Sequence, residues 1–484
     1  MTDLHRPHLH ARPRTGWIND PNGIGFWDGR WHVMCQHNPS SPVWGDITWA
    51  HLSSTDLVHW REEPIALHKR PGTIDGNGAW SGVALSVGAS GGPAPAGRPP
   101  LVYTAVPEAG TGSARVAVAE PVADDASAWR QPDAGVTPPA LEDVRDVRDP
   151  YLFEWQGRRL AIQGAGTDDG TPLVLLYDAS DLDEWRYLGR LLTGDDPLAA
   201  ELAASLLWEC PQLVRFGETW VLVLALWDDR PPGCEHFGPQ RVAWLAGTLT
   251  AEGADSPDGL RFVPSTGGPY DTGTCAYAPQ LVTTESGEVL AWTWVWEGTR
   301  SDGVPDGRDW AGLLALPRVL ELGPTGLTSR LAPPVLDVFG RREPVATGDA
   351  WTAPSDRAWL LDAGATGTSA ADADASRVTI DVVDDTGAAV EPALTPLAAT
   401  APSTPAAPAR PVLDLAGARV GVLGDASVLE AFVDGQAHTV RVYLRPGELL
   451  RVRVTGAGDA TVAVTDETGY ETGYESGYEN GRGA

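Results

Sequence analysis

Three acidic residues stand at matching points of a repeated sequence pattern. Asp20 and Asp149 are each followed directly by proline, and Glu209 is followed by proline one residue later. Eight or nine residues after each acid comes the turn glycine of a strand–turn–strand pattern, at Gly29, Gly157 and Gly217. Because equivalent positions of a repeat occupy equivalent places in the fold, we expect these three carboxylates to converge.

Converging carboxylates suit two kinds of chemistry, metal binding and glycoside cleavage. Calcium prefers more oxygen ligands, usually closely spaced in the chain. Retaining glycoside hydrolysis needs one ionised carboxylate as nucleophile and one carboxylic acid as proton donor, about 5–5.5 Å apart. A third carboxylate can hold sugar hydroxyls and stabilise the developing positive charge. The pattern therefore favours a glycoside-cleaving site that uses no metal and no cofactor.

Each acid also has a purely structural interpretation. Asp20, within NDPNG, could form an Asx turn, and Asp149 could form an ion pair with Arg148. Glu209, within WECP, has neighbours that are seldom found on a solvated surface. Cys210 is expected to be a small buried neighbour of this acid, since no histidine adjoins it to activate a thiolate. The matching repeat positions favour a shared site over three separate explanations.

The elements that must position these acids are short β-strands. Turn signals recur every few residues, and repeat units begin at positions 20, 80, 149, 209 and 277, the second at Trp80-Ser81 and the fifth at Tyr277. Units of this length fit four-stranded blades. We predict an all-β protein in which residues 1–330 form a five-bladed β-propeller, with the acids at one end of its axis.

The sequence changes character after the fifth unit. Residues 331–345 are predicted as a linker with a short helix, and residues 346–466, with alternating strands separated by Ala/Pro/Thr-rich loops, as a C-terminal β-sandwich. The tandem repeat at 467–484 has no apolar residue except tyrosine and is predicted to be disordered.

Composition excludes several classes of partner. The 484-residue chain carries a net charge of -30, which disfavours nucleic acid and anionic membranes. The sequence begins without an apolar signal region and has no apolar stretch long enough to span a membrane. Its four cysteines match no zinc-binding spacing. We therefore expect a cytoplasmic protein with reduced thiols. The 20 tryptophans suit either sugar binding or β-sheet cores. Oligomeric state is not indicated.

One known family shares these motifs in order. The segment HARPRTGWINDPNG (10–23) resembles the opening signature of glycoside hydrolase family 32, the invertase, levanase and inulinase family. Further motifs similar to that family are QHNP (36–39), WG (44–45), HLSSTDLVHW (51–60), WSG (80–82), RDP (148–150), WECPQL (208–213), DTG with YAPQ (271–280), WAGLLALPR (310–318) and SVLEAFVDGQAHTVRVY (427–443). The resemblance covers roughly residues 8–455.

The resemblance implies a propeller and a sandwich, and it assigns roles to the acids. Asp20 would be the nucleophile, Glu209 the acid and base, and Asp149 the stabiliser of the transition state, with Arg148 orienting Glu209. The implied sugar contacts, with Arg148, are Trp17, Asn19, Gln36, Trp44, Trp80, Ser81 and Asp271. Two of these have structural alternatives: Trp80 as blade core and Gln36 as a hydrogen bonder at a strand end.

The implied activity is retaining hydrolysis of β-D-fructofuranosides such as sucrose or short fructo-oligosaccharides. Fructosyl transfer through the same intermediate is the alternative, and a non-catalytic carbohydrate-binding propeller is a third interpretation. The sequence departs from the family on the leaving-group side, at Met34, Cys35, Val83, Thr272 and Thr274. These departures concern the leaving group, whose identity the sequence leaves open.

Overall fold

The computed structural model describes residues 3–85, 97–122, 128–138, 141–228, 241–251, 258–297, 308–364, 376–384, 386–390, 412–456 and 459–465. These residues form an all-β protein, with short helices α1 (Pro197–Leu202) and α2 (Pro333–Asp337) and one 3₁₀ turn (Thr111–Ser113). Within these ranges, no helix has the length and apolarity needed to cross a membrane. The predicted tail, 467–484, lies outside the described residues.

Five antiparallel sheets follow one another between residues 16 and 331. The first contains β1 (Gly16–Trp27), β2 (Arg30–Asn38), β3 (Thr48–Ser54) and β4 (Trp60–Leu67), and the second β5 (Gly78–Ala84), β6 (Leu101–Val106), β7 (Arg115–Pro121) and β8 (Trp129–Arg130). The third contains β9 (Arg145–Trp155), β10 (Arg158–Gly166), β11 (Pro172–Asp178) and β12 (Arg186–Thr193), and the fourth β13 (Leu207–Phe216), β14 (Thr219–Trp227), β15 (Arg241–Thr250) and β16 (Arg261–Pro269). The fifth contains β17 (Ala276–Thr283), β18 (Val289–Val295), β20 (Leu313–Leu314), β21 (Arg318–Gly323) and β22 (Gly326–Leu331).

The first strands of the five sheets, β1, β5, β9, β13 and β17, form what we call the inner strands. Each packs against the inner strand of the next sheet, and β17 packs against β1. A short strand, β19 (Trp310–Ala311), also pairs in parallel with β1, so the end of this region joins its beginning. Behind the inner strands, runs such as TWVLVLALW in β14 are almost continuously apolar because both faces of the strand are buried.

Every inner strand carries a β-bulge at the repeat position recognised in the sequence. The register of β1 against β2 shifts between Ile18 and Pro21, and that of β13 against β14 shifts between Glu209 and Gln212. Equivalent shifts occur at 80/82 in β5, at 149–150 in β9 and between Tyr277 and Gln280 in β17. Proline lacks an N–H group and is tolerated at a bulge, which accounts for its place in the repeat.

Amide side chains next to the bulges tie the inner strands together. The side chain of Gln280 accepts from Ile24 N at 3.0 Å and donates to Gly82 O at 2.7 Å. Asn22 accepts from Gly82 N at 3.0 Å, and Gln212 accepts from Leu281 N at 3.0 Å. These bonds satisfy backbone groups that the bulges leave unpaired, and they fix neighbouring sheets relative to one another.

The C-terminal region contains two sheets that share one apolar core. The six-stranded sheet contains β23 (Glu343–Val345), β25 (Ala358–Gly364), β28 (Arg419–Asp425), β29 (Val428–Val433), β30 (Gln436–Arg441) and β32 (Asp459–Thr465). The four-stranded sheet contains β24 (Ala350–Ala353), β26 (Ser376–Val383), β27 (Leu413–Gly417) and β31 (Leu449–Thr455). Both α2 and β23 lie within the predicted linker, and β23 pairs with β32.

A buried polar cluster, here called the interface network, joins the C-terminal region to the rest of the chain. It comprises His10, Asp271, Arg318, Asp425, Glu430 and Thr439. The His10 ring lies between Asp425 and Glu430, with nitrogen–oxygen distances of 2.7 and 2.9 Å. Arg318 donates to Glu430 and to Asp271. Because such groups are costly to bury without partners, the members of the network depend on the two regions staying docked.

Candidate active site

A cavity of about 370 Å³ opens where the inner strands meet. Its lining is rich in acidic and aromatic side chains: Trp17, Asn19, Asp20, Gln36, Trp44, Trp80, Thr111, Arg145, Asp146, Arg148, Asp149, Leu206, Leu207, Glu209, Trp227, Tyr277 and Trp294. Asp20, Asp149 and Glu209, here called the acid cluster, therefore face one space although they come from three different sheets. The bulges bring this about, since an extra residue in a strand re-aims its side chain.

Asp20 is held mainly through one of its carboxylate oxygens. Oδ2 accepts from the Ser81 hydroxyl at 2.6 Å and from Gln36 Nε2 at 3.0 Å. Oδ1 accepts only a longer bond, of 3.3 Å, from Asn19 Nδ2 among the described contacts. Burial raises the pKa of Asp20 to about 6; the Ser81 hydrogen bond opposes this rise, and the charge of Glu209 adds to it. At neutral pH the carboxylate is ionised, with Oδ1 the less encumbered oxygen.

Asp149 adopts a left-handed backbone conformation, with φ of 59°, at the bulge of β9. Its backbone N–H donates to Thr104 Oγ1 at 2.8 Å, and its Oδ2 accepts from Cys210 N at 3.0 Å. Burial raises the pKa of Asp149 to about 7; the Arg148 guanidinium opposes this, and the charges of Glu209 and Asp20 reinforce it. The raised pKa of Asp149 thus reflects its burial first and the neighbouring carboxylates second.

Both oxygens of Glu209 have charged or hydroxyl partners. Oε1 accepts from Arg148 Nε at 3.0 Å and Nη2 at 2.9 Å, and Oε2 accepts from the Tyr277 hydroxyl at 2.6 Å. The Cys210 thiol points instead toward the other two acids, with Sγ 3.7 Å from Asp20 Oδ2 and 3.6 Å from Asp149 Oδ2. Burial raises the pKa of this thiol well above its ordinary value, which fits a protonated donor rather than a nucleophile.

Aromatic side chains form the remaining walls. Trp44 is about half exposed, at 49%, and meets Trp80 edge-on with ring centroids 5.8 Å apart. Trp17 donates through Nε1 to Asn19 Oδ1 at 3.1 Å and packs edge-on against Trp294. The indole N–H groups of Trp80 and Trp294 are buried without a hydrogen-bond partner among the described residues. The flat apolar faces of these rings suit the C–H face of a sugar ring.

The structure places most of the predicted site residues together, but not Asp271. Trp17, Asn19, Gln36, Trp44, Trp80 and Arg148 line the cavity with the acid cluster, and Ser81 lies directly behind Asp20. Asp271 belongs to the interface network, where its side chain is 1% exposed and bound to Arg318. Asp271 does not line the cavity as expected, because the segment that follows it is held against the C-terminal sheet and the Asp271 carboxylate is bound there by Arg318 and Thr439.

The sequence prediction also missed several lining residues. Tyr277 occupies the fifth repeat position, the same signal that identified the acids, and could have been assigned to the site. Thr111, Arg145, Asp146 and Trp227 had no such signal, because they lie outside the repeat positions. As for metal ions, no group of three or more His, Cys, Asp or Glu side chains in the described ranges could hold one. Cys35, Cys210 and Cys275 are free thiols, and Cys234 lies outside those ranges.

Comparisons with known proteins identify relatives of this chain. The chain is 32% identical over 324 residues to an Escherichia coli sucrose-6-phosphate hydrolase, covering 65% of this chain and 62% of the relative. It is 30% identical over 323 residues to an E. coli raffinose invertase, covering 64% of this chain and 61% of the relative. The aligned part thus spans about three-fifths of the length of these curated relatives.

Similarity to solved structures extends over nearly the whole chain. The sucrose-6-phosphate hydrolase of Lactobacillus gasseri aligns with a TM-score of 0.73 at 22% identity, covering 96% of this chain and 94% of that one. A fructan 1-exohydrolase from Cichorium intybus aligns with a TM-score of 0.71 at 19% identity, covering 97% and 99%. The family model of the glycosyl hydrolases family 32 N-terminal domain matches residues 10–331. With two-thirds of its length matched in this way, the chain belongs to glycoside hydrolase family 32.

Proposed function

We propose that this protein is a retaining β-fructofuranosidase that releases terminal fructose from sucrose or short fructo-oligosaccharides. The observation that carries the proposal is the convergence of the acid cluster on one aromatic-walled cavity in a chain of this family. We also propose that the five N-terminal sheets are the blades of a five-bladed propeller and that the two C-terminal sheets form a sandwich. The ring of contacts among the inner strands and the shared C-terminal core support this architecture.

In the first step, Asp20 attacks the anomeric carbon of the fructosyl unit through Oδ1. Its other oxygen, Oδ2, is held by Ser81 and Gln36, so the attacking oxygen is the one with fewer bonds to break. The glycosidic C–O bond breaks as the new C–O bond to Asp20 forms, giving a covalent fructosyl-enzyme. Asp149 stabilises the positive charge that develops on the sugar ring and binds its hydroxyls.

Glu209 supplies the proton that the departing oxygen takes. Arg148 holds Oε1, so the transferable proton resides on Oε2, where the Tyr277 hydroxyl fixes its direction. In the second step, the resulting Glu209 carboxylate takes a proton from water as that water attacks the anomeric carbon. The fructosyl–Asp20 bond breaks as the water oxygen bonds to the anomeric carbon, so that fructose leaves with retained configuration and both carboxyl groups return to their starting states.

The charges around the cavity favour an uncharged leaving group. Four lining residues are acidic, namely Asp146 and the acid cluster, and two are basic. Arg148 is committed to Glu209 and to Asp146 O, and Arg145 donates to Thr167 O. A phosphorylated sugar would therefore meet a net negative lining whose guanidinium groups are already engaged. We propose that sucrose is hydrolysed more efficiently than sucrose 6-phosphate.

Sugar release by the purified protein tests this proposal. Sucrose, raffinose, short inulin and sucrose 6-phosphate are incubated in parallel, and free fructose and glucose are measured. We expect fructose from sucrose, and none with Asp20→Ala. Glucose in excess of fructose, with growing oligosaccharides, would show a fructosyltransferase instead. No release from any fructoside would overturn the enzymatic assignment, and a higher kcat/KM for sucrose 6-phosphate would overturn the proposed preference.

Glu209→Gln separates the two catalytic roles. An aryl β-fructofuranoside has a good leaving group and needs little help from an acid, whereas sucrose needs a proton on its departing oxygen. We expect this variant to lose sucrose turnover and to keep slow release of the aryl group. Equal losses on the two substrates would contradict the assignment of Glu209 as acid.

A further inference from the structure

Residues 271–275, here called the connecting segment, lead from the fourth sheet into the inner strand β17. This segment forms backbone hydrogen bonds with β30 of the C-terminal region. Thr272 N donates to Ala437 O at 2.9 Å, and Thr274 N and Cys275 N donate to Thr439 O at 3.0 and 3.2 Å. The path into the fifth sheet is thus held from outside by a strand that belongs to a different part of the chain.

The approach of the two backbones is close enough to require glycine. A Cβ atom on Gly273 would lie 2.1 Å from Thr439 O and 2.3 Å from Thr439 N. These are backbone atoms and cannot move aside as a flexible side chain would. The connecting segment therefore has little freedom to shift relative to β30 while the two regions stay docked.

Asp271 fastens the start of the connecting segment. Its Oδ1 accepts from Thr439 N at 2.9 Å, and its Oδ2 accepts from Thr439 Oγ1 at 2.6 Å and from Arg318 Nη1 at 3.0 Å. Arg318 Nη2 in turn donates to Thr439 Oγ1 at 2.6 Å. The Thr439 hydroxyl is thus both donor and acceptor in the interface network, and its side chain is fully buried.

The other end of the connecting segment leads directly to the acid. Tyr277 lies two residues beyond Cys275, and its hydroxyl reaches Glu209 Oε2 at 2.6 Å. Trp296 braces the same stretch, since its backbone N donates to Cys275 O at 3.1 Å and its Nε1 to Thr274 O at 2.9 Å. The stretch from residue 271 to Tyr277 is therefore held at one end by β30 and at the other by Trp296 and Glu209.

We infer that β30 of the C-terminal region positions Tyr277, and through it Glu209, for proton transfer to the leaving group, with Thr439 and Asp271 as positioning residues. The inference rests on the proposed function, because it concerns how accurately the acid is placed. It assigns the C-terminal region a part in the reaction although, among the described residues, it contributes no lining to the cavity.

Thr439→Val tests the inference, because it removes the hydroxyl while keeping the shape of the side chain and the three backbone bonds between β30 and the connecting segment. We expect kcat on sucrose to fall about 5- to 10-fold and kcat on an aryl β-fructofuranoside to change less than about 2-fold, with KM for both preserved. Thr439→Ser keeps the hydroxyl and should restore the wild-type ratio of the two rates. Asp271→Asn provides a second probe of the same contact if Thr439→Val does not fold.

Two further variants separate positioning from general destabilisation. Val452→Ala opens space in the C-terminal core and should lower the unfolding temperature without changing the ratio of the two rates. Tyr277→Phe should lower kcat on sucrose more than kcat on the aryl substrate, as Thr439→Val does. The double variant Tyr277→Phe with Thr439→Val should show no further change in the ratio of the two rates.

The outcomes distinguish the two proposals. A wild-type protein that releases sugar from no fructoside refutes the proposed function itself. An active wild type in which Thr439→Val lowers both rates equally, or lowers neither, refutes the positioning inference alone. Selective losses that multiply in the double variant would also refute it, because Thr439 would then not act through Tyr277.

Discussion

His10 is the histidine of the interface network, and its removal provides the sharpest test of how that network holds the molecule together. Both ring nitrogens face carboxylate oxygens, at 2.7 Å from Asp425 and 2.9 Å from Glu430, and all three side chains are fully buried. A neutral imidazole has one N–H and could donate to only one of them. Asp425 also accepts backbone N–H bonds from residues 8–10, and Glu430 holds Arg318, so both acids are ionised. His10 is therefore a buried imidazolium.

His10→Ala would leave two buried carboxylates without their shared cation. Removing one member of a buried ion pair costs about 3–5 kcal/mol in the free energy of unfolding. Burial alone would lower the pKa of His10, but the hydrogen bonds and charges of Asp425 and Glu430 raise it above the ordinary value of 6.5. A raised histidine pKa contributes stability that is complete below the unfolded value and is lost as the pH rises through the folded value. The stability difference between wild type and variant should therefore narrow in alkaline solution.

Urea unfolding, followed by tryptophan fluorescence at several values from about pH 6 to pH 9, measures this difference across the range in which histidine titrates. His8→Ala is the matched control, because residue 8 contributes its backbone N–H to Asp425 and the substitution preserves that bond. We expect a large loss in the free energy of unfolding for His10→Ala and a small one for His8→Ala. Equal losses of stability in the two variants, or a loss in His10→Ala that does not depend on pH, would refute the conclusion that His10 is an imidazolium.

Three further predictions concern the cavity. Asp20→Asn should abolish sugar release yet raise the unfolding temperature near neutral pH, because it removes a charge whose burial is unfavourable. Circular dichroism melts check this, and a lowered melting temperature would contradict it. Since Asp20 must be ionised to attack and its pKa is raised to about 6, kcat/KM should fall as the pH drops through that value. Ser81→Ala removes a hydrogen bond to the ionised form of Asp20 and should therefore shift this fall in kcat/KM to higher pH. A pH profile that does not shift would contradict the assignment of the fall to Asp20. Trp44→Ala should raise KM about 10-fold with little change in kcat, through loss of an aromatic wall, and steady-state kinetics on sucrose would show whether it does.

The three acid-bearing units could be predicted from the sequence because each of them marks its own bulge. Proline after Asp20, Asp149 and Cys210 signals a place where the sheet does not need an N–H group, and the turn glycine that follows fixes the register of the hairpin. These are local signals, readable within a few residues. These local signals predict that the three acids converge, and the structure shows them lining one cavity.

The errors arose where a residue's role depends on distant partners. Asp271 precedes an inner strand, as a sugar-binding residue could, but its position is decided by Arg318 and Thr439, which lie far along the chain. Likewise, no local feature of HLHARP indicates that His10 would meet Asp425 and Glu430. Such pairings depend on how the C-terminal region docks, and a single sequence contains no periodic signal for that.

The parallel pairing of β19 with β1 affects how the molecule folds and unfolds. It joins Gly16 to Trp310 and Trp17 to Ala311, so nearly the whole N-terminal region must be in place before it can form. Contacts between residues so far apart form late, because the chain entropy must first be lost. A substitution that weakens this pairing, such as Ala311→Gly, should accelerate unfolding in stopped-flow experiments and leave the refolding rate unchanged. We therefore expect the pairing of β19 with β1 to affect the lifetime of the folded N-terminal region more than its rate of assembly, which depends on the hairpins within each sheet.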